Sequence, residues 1–150
     1  MNNSNPFKSL EILLVEDSKS DAVLTLETLS ESTVINKLHW VRDGAAAIDF
    51  LYKRGHYTDA PRPDLIVLDL NLPKKNGRDV LTIIKGDDDL KTIPVIVLTT
   101  SANEEDVREI YGLQANSYLV KPVDLEQFIG VVKSIENFWF AAVTLPPKVE

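Results

Sequence analysis

The stretch VLDLNLPKKNG, Val67 to Gly77, decides how the chain is read. Val67, Leu68 and Leu70 belong to an apolar run, DLIVLDL, that is continuous rather than alternating, as in a strand covered on both faces. Yet Asp69 stands inside that run, and Asn71 follows it just before a proline and glycine turn. An aspartate at a strand end is commonly a turn or helix cap. The other reading is a carboxylate placed for chemistry, and the rest of the chain decides between them.

Outward from that stretch the pattern repeats. Residues 12–15 (ILLV) form a short apolar strand ending in Glu16 and Asp17, residues 37–41 a second, PVIVLTT a fourth and NSYLV a fifth. Between them lie segments of helical periodicity. In SKSDAVLTLETLS, Ala22, Val23, Leu26 and Leu29 share a face, with Ser18 or Ser20 as cap. A second helix opens at Asp43-Gly44, turns Ala47, Ile48 and Leu51 inward and stops at Gly55. A third covers residues 77–85, with Val80, Leu81 and Ile84 on one side, and a fourth covers 104–111. In the last, capped by Asp124, Leu125, Phe128, Ile129, Val132, Ile135 and Trp139 recur at helical spacing. Five strands alternating with five helices predict an α/β fold, a doubly wound parallel sheet with helices on both faces.

A chain of 150 residues, 44% hydrophobic and 26% charged, fits one compact domain. Residues 1–9 read as a polar leader, 10–140 as the domain and 141–150 as an extension that its consecutive prolines keep from being helical. The absence of cysteine excludes disulfides and thiol chemistry. A net charge of -7 argues against broad binding to nucleic acid or anionic membranes. No apolar run reaches the length of a membrane span and the first residues lack a signal-peptide core, so the cytoplasm is the expected location.

In doubly wound sheets the reactive groups gather beyond the carboxyl ends of the strands. Here that rule brings Glu16 and Asp17, Asp69, Thr99 and Thr100, and Lys121 into one crevice. Three clustered carboxylates repel one another and call for a cation. Oxygen ligands without histidine or cysteine suit a hard ion, Mg²⁺ or Mn²⁺, with the backbone carbonyl of Asn71 as a further donor. A carboxylate beside such an ion, a lysine and a hydroxyl is equipped to take a phosphoryl group, with Asp69 as nucleophile. Taken singly, Glu16-Asp17 reads as a solvated pair before a helix and Lys121 as a surface lysine. Their joint placement favours the shared site.

LLVEDS, LDLNLPKKNG, VIVLTTSA and YLVKP, in that order, resemble the receiver domain of two-component response regulators, over residues 12–138. The resemblance implies a flavodoxin-like strand order, 2-1-3-4-5. It also implies that Asp69 accepts a phosphoryl group from a phosphohistidine on a sensor histidine kinase. By the same resemblance Asp17 ligates Mg²⁺ directly, Glu16 through water and Asn71 through its carbonyl. Lys121 contacts the phosphoryl group and its bond to Pro122 is cis, Thr99 is the switch hydroxyl, and Tyr118 is the aromatic that turns inward on activation. Thr99 to Lys121 is 22 positions and Tyr118 lies three before the lysine, as in the family. Thr100 departs from it, standing where many relatives carry alanine, and its bulk bears on the lifetime of the phosphorylated state. YTDAPRPDLIVLDLNLPKKNGRDVL and IENFWFAAVTLPP further resemble the small single-domain regulators that partner cyanobacterial phytochromes. That implies a bilin-binding kinase as donor, and the expected output is through protein contacts or through a phosphorelay to a further protein.

Other residues carry less. His39 and His56 have no partner at metal-ligand spacing and read as structural or surface residues. Lys74 and Lys75 either steer an acidic kinase surface or lie in a solvated turn. Phe138, Trp139 and Phe140 cannot all face one way, so at least one projects outward. With Val143 and Leu145 it forms either a homodimer surface through the last helix and extension or the footing of a tail folded back on its own domain. The leading expectation is a phosphoacceptor signalling protein, not an enzyme with a separate substrate. A phosphorylation-independent module has no physical need for the acidic cluster. An aspartate-nucleophile phosphatase needs a titrating carboxyl shortly after the nucleophile, where this chain has Asn71.

Overall fold

The computed structural model describes residues 9–32, 35–101 and 103–140, the last two without their side chains. Strands β1 (Leu10–Val15), β2 (Asn36–Val41), β3 (Leu65–Leu68), β4 (Val95–Thr99) and β5 (Ser117–Val120) form one sheet in the order β2-β1-β3-β4-β5. Every neighbouring pair is parallel. Helices α1 (Lys19–Ser30), α2 (Gly44–Tyr52), α3 (Gly77–Gly86), α4 (Glu104–Gly112) and α5 (Leu125–Ile135) connect the strands or follow the last. This is the doubly wound α/β arrangement that the alternation predicts, in the 2-1-3-4-5 order.

Period-two alternation splits the core into two layers. Leu13, Val15, Ile66, Leu68, Val95 and Val97 pack with Ala47, Ile48 and Leu51 of α2, Val80, Leu81 and Ile84 of α3 and Ile110 of α4. Ile12, Leu14, Leu65, Val67, Ile96 and Leu98 pack with Ala22 and Leu29 of α1 and Phe128, Val132 and Ile135 of α5. Because all strands run one way, every α-helix starts at the same edge of the sheet. Each is capped there by a side chain that accepts a backbone N–H: Ser18, Asp43, Asn76, Asn103 and Asp124. That edge is where the candidate residues converge.

The structure departs from the sequence reading in four places. In α1 the inward face is Ala22, Thr25, Thr28 and Leu29, while Val23 and Leu26 are exposed. The threonines tolerate burial because their hydroxyls donate to the carbonyls of Asp21 and Leu24, one turn back. Helix α2 ends at Lys53, which adopts the left-handed conformation at φ 58°, before Gly55 is reached. Leu125 is exposed at the start of α5, and the helix passes into one π-type turn, Glu136–Phe140, in which Phe138 is 56% exposed. The Lys121–Pro122 bond is trans, since there is no cis peptide among the described residues; trans is also the intrinsic preference of an X–Pro bond. The polar leader up to residue 8 and the extension 141–150 lie outside the described residues.

Candidate functional site

Two neighbouring strands, β1 and β3, deliver the first two carboxylates. The Glu16 amide donates to Val41 O (3.0 Å) and the Asp69 amide to Val15 O (3.0 Å), so both residues continue the ladder past the last strand position. Glu16 is held further: its Oε2 accepts from the Ser18 amide (3.0 Å), and its carbonyl accepts from the Trp40 indole N–H (2.8 Å). The Arg42 guanidinium lies 5.2 Å from the Trp40 ring centroid. Asp69 Oδ1 accepts from the Asn71 amide (3.1 Å), which turns the chain away from the sheet.

The following loop closes tightly over this edge. The Gly77 amide donates to Leu70 O (3.0 Å) and the Lys75 amide to Pro73 O (2.8 Å), with Lys74 in the left-handed region at φ 68°. Two glycines permit the approach. A Cβ on Gly77 would collide with the Asp69 carbonyl, and one on Gly44 with the Lys75 carbonyl. Exposed Lys74 pairs with Asp43 at 3.7 Å, which places it in a solvated turn beside the site.

Lys121 enters from β5, its amide donating to Thr99 O (2.7 Å). Its Nζ lies 2.6 Å from Glu16 Oε1, 3.0 Å from Asp69 Oδ2 and 3.0 Å from Asp21 Oδ2. Lys121, Glu16 and Asp69 are all buried. Burial pushes the Glu16 carboxyl up to about 7, against the pull of the ammonium and with Asp69 adding to the rise. Burial alone would lower Lys121. Its bond to Glu16 and the charges of Glu16 and Asp69 outweigh that, so it stays an ammonium ion well above the usual lysine range.

Of the expected metal donors, Glu16 and Asp69 meet on Lys121, whereas Asp17 is exposed at the mouth. No group of three His, Asp or Glu side chains among the described residues is drawn together as a metal cage. The physical reason is that the two buried carboxylates close on the ammonium. The donor set is nevertheless oxygen throughout, carboxylates plus the Asn71 carbonyl, and fits a hard divalent cation by chemistry. Thr99 is fully buried, and its hydroxyl is the one buried side-chain polar atom among the described residues without a hydrogen-bond partner. An orphaned buried hydroxyl is costly.

Beyond Thr99, the half-buried Tyr118 donates its hydroxyl to Ser101 O (2.8 Å), and its amide donates to the Tyr111 hydroxyl (3.1 Å). Ser101 Oγ donates to Asp106 Oδ2 (2.6 Å), while Arg78 of α3 pairs with Asp106 and Glu109 of α4, each at 2.7 Å. Sequence reasoning missed Asp21, Trp40 and Arg78. Asp21 looks like an acid complementing the helix dipole in the first turn of α1, and Trp40 like a strand aromatic. Only the fold brings Asp21 and Trp40 to the site and Arg78 to the acids of α4. The two histidines stay outside it: His39 pairs with Glu11 at 2.6 Å, and His56 lies in a short 3₁₀ turn.

Residues 12–133 match the family described as the response regulator receiver domain. The chain is 54% identical to response regulator Rcp1 of Synechocystis sp. over 143 residues, 95% of this chain and 96% of that protein. Among solved structures, the Mn²⁺-bound form of Rcp1 superposes with a TM-score of 0.90 at 54% identity, covering 92% of this chain and 99% of the other. The phosphorylated cyanobacterial phytochrome response regulator RcpA gives 0.90 at 50% identity, covering 93% and 100%.

Proposed function

The chain belongs to the response regulator receiver family, and from that premise we propose that it takes a phosphoryl group on Asp69 from a phosphohistidine of a histidine kinase. One observation carries the reading: the buried Lys121 ammonium lies 3.0 Å from Asp69 Oδ2, at the sheet edge where β4 ends in Thr99, whose buried hydroxyl has no hydrogen-bond partner among the described residues. An Asp69 oxygen attacks phosphorus in line. The new P–O bond forms as the P–N bond breaks, and the leaving imidazole keeps the electron pair. Lys121 turns its charge onto one phosphoryl oxygen and Thr99 donates its hydroxyl to another. A divalent cation, which we assign as Mg²⁺ with Mn²⁺ accepted by the same donors, supplies further neutralisation when held by Glu16, Asp17, Asp69 and the Asn71 carbonyl. Hydrolysis of the acyl phosphate resets Asp69, so the phosphoryl group is the signal and no separate substrate is turned over.

The kinase we assign is a bilin-binding phytochrome, on the likeness to Rcp1 and RcpA. Output runs through Thr99 and Tyr118 to a further protein rather than to nucleic acid or membrane. The net charge of -7 supports this, and no described helix is long and apolar enough to cross a membrane. We place the protein in the cytoplasm, as a homodimer through α5 and residues 141–150. The exposed Phe138 supports that surface, although the extension itself lies outside the described residues. Intact mass after incubation with Mg²⁺ and acetyl phosphate tests the central step. One added phosphoryl group is expected, absent in Asp69→Asn and without metal. No adduct and no metal binding on folded protein would leave a phosphorylation-independent interaction module.

A further inference from the structure

Three carboxylates share the Lys121 ammonium, and the third, Asp21, belongs to neither strand end. It comes from the first turn of α1, 100 positions away in sequence. Its backbone is fixed: the amide donates to Ser18 Oγ (3.2 Å), and the carbonyl accepts from the Thr25 hydroxyl (2.7 Å). Ser18 already caps α1, so the Asp21 side chain is not needed for that purpose. As a first-turn acid it would serve the helix dipole equally well from any neighbouring position. Its contact with Lys121 is specific.

The three partners differ in exposure. The Asp21 side chain is 31% exposed, against 4% for Glu16 and 9% for Asp69. When an anionic group arrives and claims Lys121, Asp21 can return to water at little cost, whereas displacing Glu16 strands a buried carboxyl. We propose that Asp21 competes with the incoming phosphoryl group for Lys121, so that α1 restrains phosphorylation of Asp69. This rests on the phosphoacceptor reading above and adds a positioning residue to it. Asp21 acts on the phosphoryl group only through the lysine.

The test compares Asp21→Asn, Asp21→Glu and Glu27→Gln with the unaltered chain, following acetyl phosphate labelling by intact mass in Mg²⁺. Glu27→Gln removes the same charge from α1 at a residue with no bond to Lys121 among the described contacts. Asp21→Asn should raise the labelling rate at low donor about twofold to fivefold, the size of a partly exposed ion pair. The gain should lie in the half-saturating donor concentration, with the maximal rate unchanged. Asp21→Glu should restore the parent behaviour, and Glu27→Gln should match it throughout. A rate in Asp21→Asn at or below the parent overturns the proposal, as does an equal rise in Glu27→Gln, which would reveal only net charge. If the unaltered folded chain takes no adduct and binds no Mg²⁺, the phosphoacceptor reading itself fails and this inference with it.

Discussion

The segments that follow β3 and β4 leave the same edge of the sheet but are held in different ways. After β3, both Asp69 oxygens are bonded, Gly77 packs against the Asp69 carbonyl, and α3 buries Val80, Leu81 and Ile84 completely. At the end of β4, the Thr99 hydroxyl has no partner among the described residues, and α4 buries only Ile110 of its nine residues. What ties α4 down is polar: Arg78 to Asp106 and Glu109, Ser101 to Asp106, and Tyr118 to Ser101. Truncating a buried aliphatic costs about 2–5 kcal/mol, whereas exposed ion pairs are worth about 0.2–1 kcal/mol each. The Asp69 half is therefore set by packing and the Thr99 half by contacts that exchange cheaply.

The contrast can be broken most severely at Lys121. Lys121→Ala leaves the buried Glu16 and Asp69 without a counter-charge and should lower stability by about 3 kcal/mol in urea unfolding, besides removing phosphorylation. A loss below about 1 kcal/mol would show that the Asp69 half does not depend on its lysine. Amide hydrogen exchange sharpens the comparison directly. Amides of α4 should exchange at least about tenfold faster than those of α3, and equal protection would erase the distinction. Thr99→Val removes an unsatisfied hydroxyl at nearly constant shape and should raise stability by about 1 kcal/mol, while weakening phosphoryl retention. The same change at a satisfied group would destabilise.

Smaller effects are expected at the α4 tether. Arg78→Gln should cost less than about 1 kcal/mol overall yet increase exchange in α4 selectively. The pH response has a defined sign. The Ser101 hydroxyl, opposed by burial and aided by Arg78, holds the Asp106 carboxyl below its usual range. Its stabilising contribution is present above the unfolded value, about 3.9, and is lost as pH falls through the lower folded value. A carbon-detected titration of Asp106 should show that depressed midpoint. In Arg78→Gln it should move toward the ordinary one.

Strand positions, the Asp124 cap and the conjunction of Glu16, Asp69, Thr99 and Lys121 at one edge were legible because each depends on local pattern and on one rule of parallel sheets. The inward face of α1 was not, because Thr25 and Thr28 become apolar in effect only once their hydroxyls bond one turn back. The end of α2 at Lys53 was hidden for a similar reason, since a left-handed lysine cannot be told from a helical one in sequence. Asp21 and Arg78 were invisible because their partners are distant in the chain. Pairs of that kind follow from the fold and do not announce it.

The strand order has a consequence for how the molecule comes into being. β5 pairs only with β4, at the rim of the sheet, and it is the strand that delivers Lys121. During synthesis from the amino end, Glu16, Asp21 and Asp69 therefore all emerge before the only ammonium ion seen to neutralise them in the described structure. A nascent chain stopped short of residue 121 carries mutually repelling acids and no completed pocket. The charge cluster is completed only with the last strand, so an unfinished copy lacks the ammonium around which its acids close.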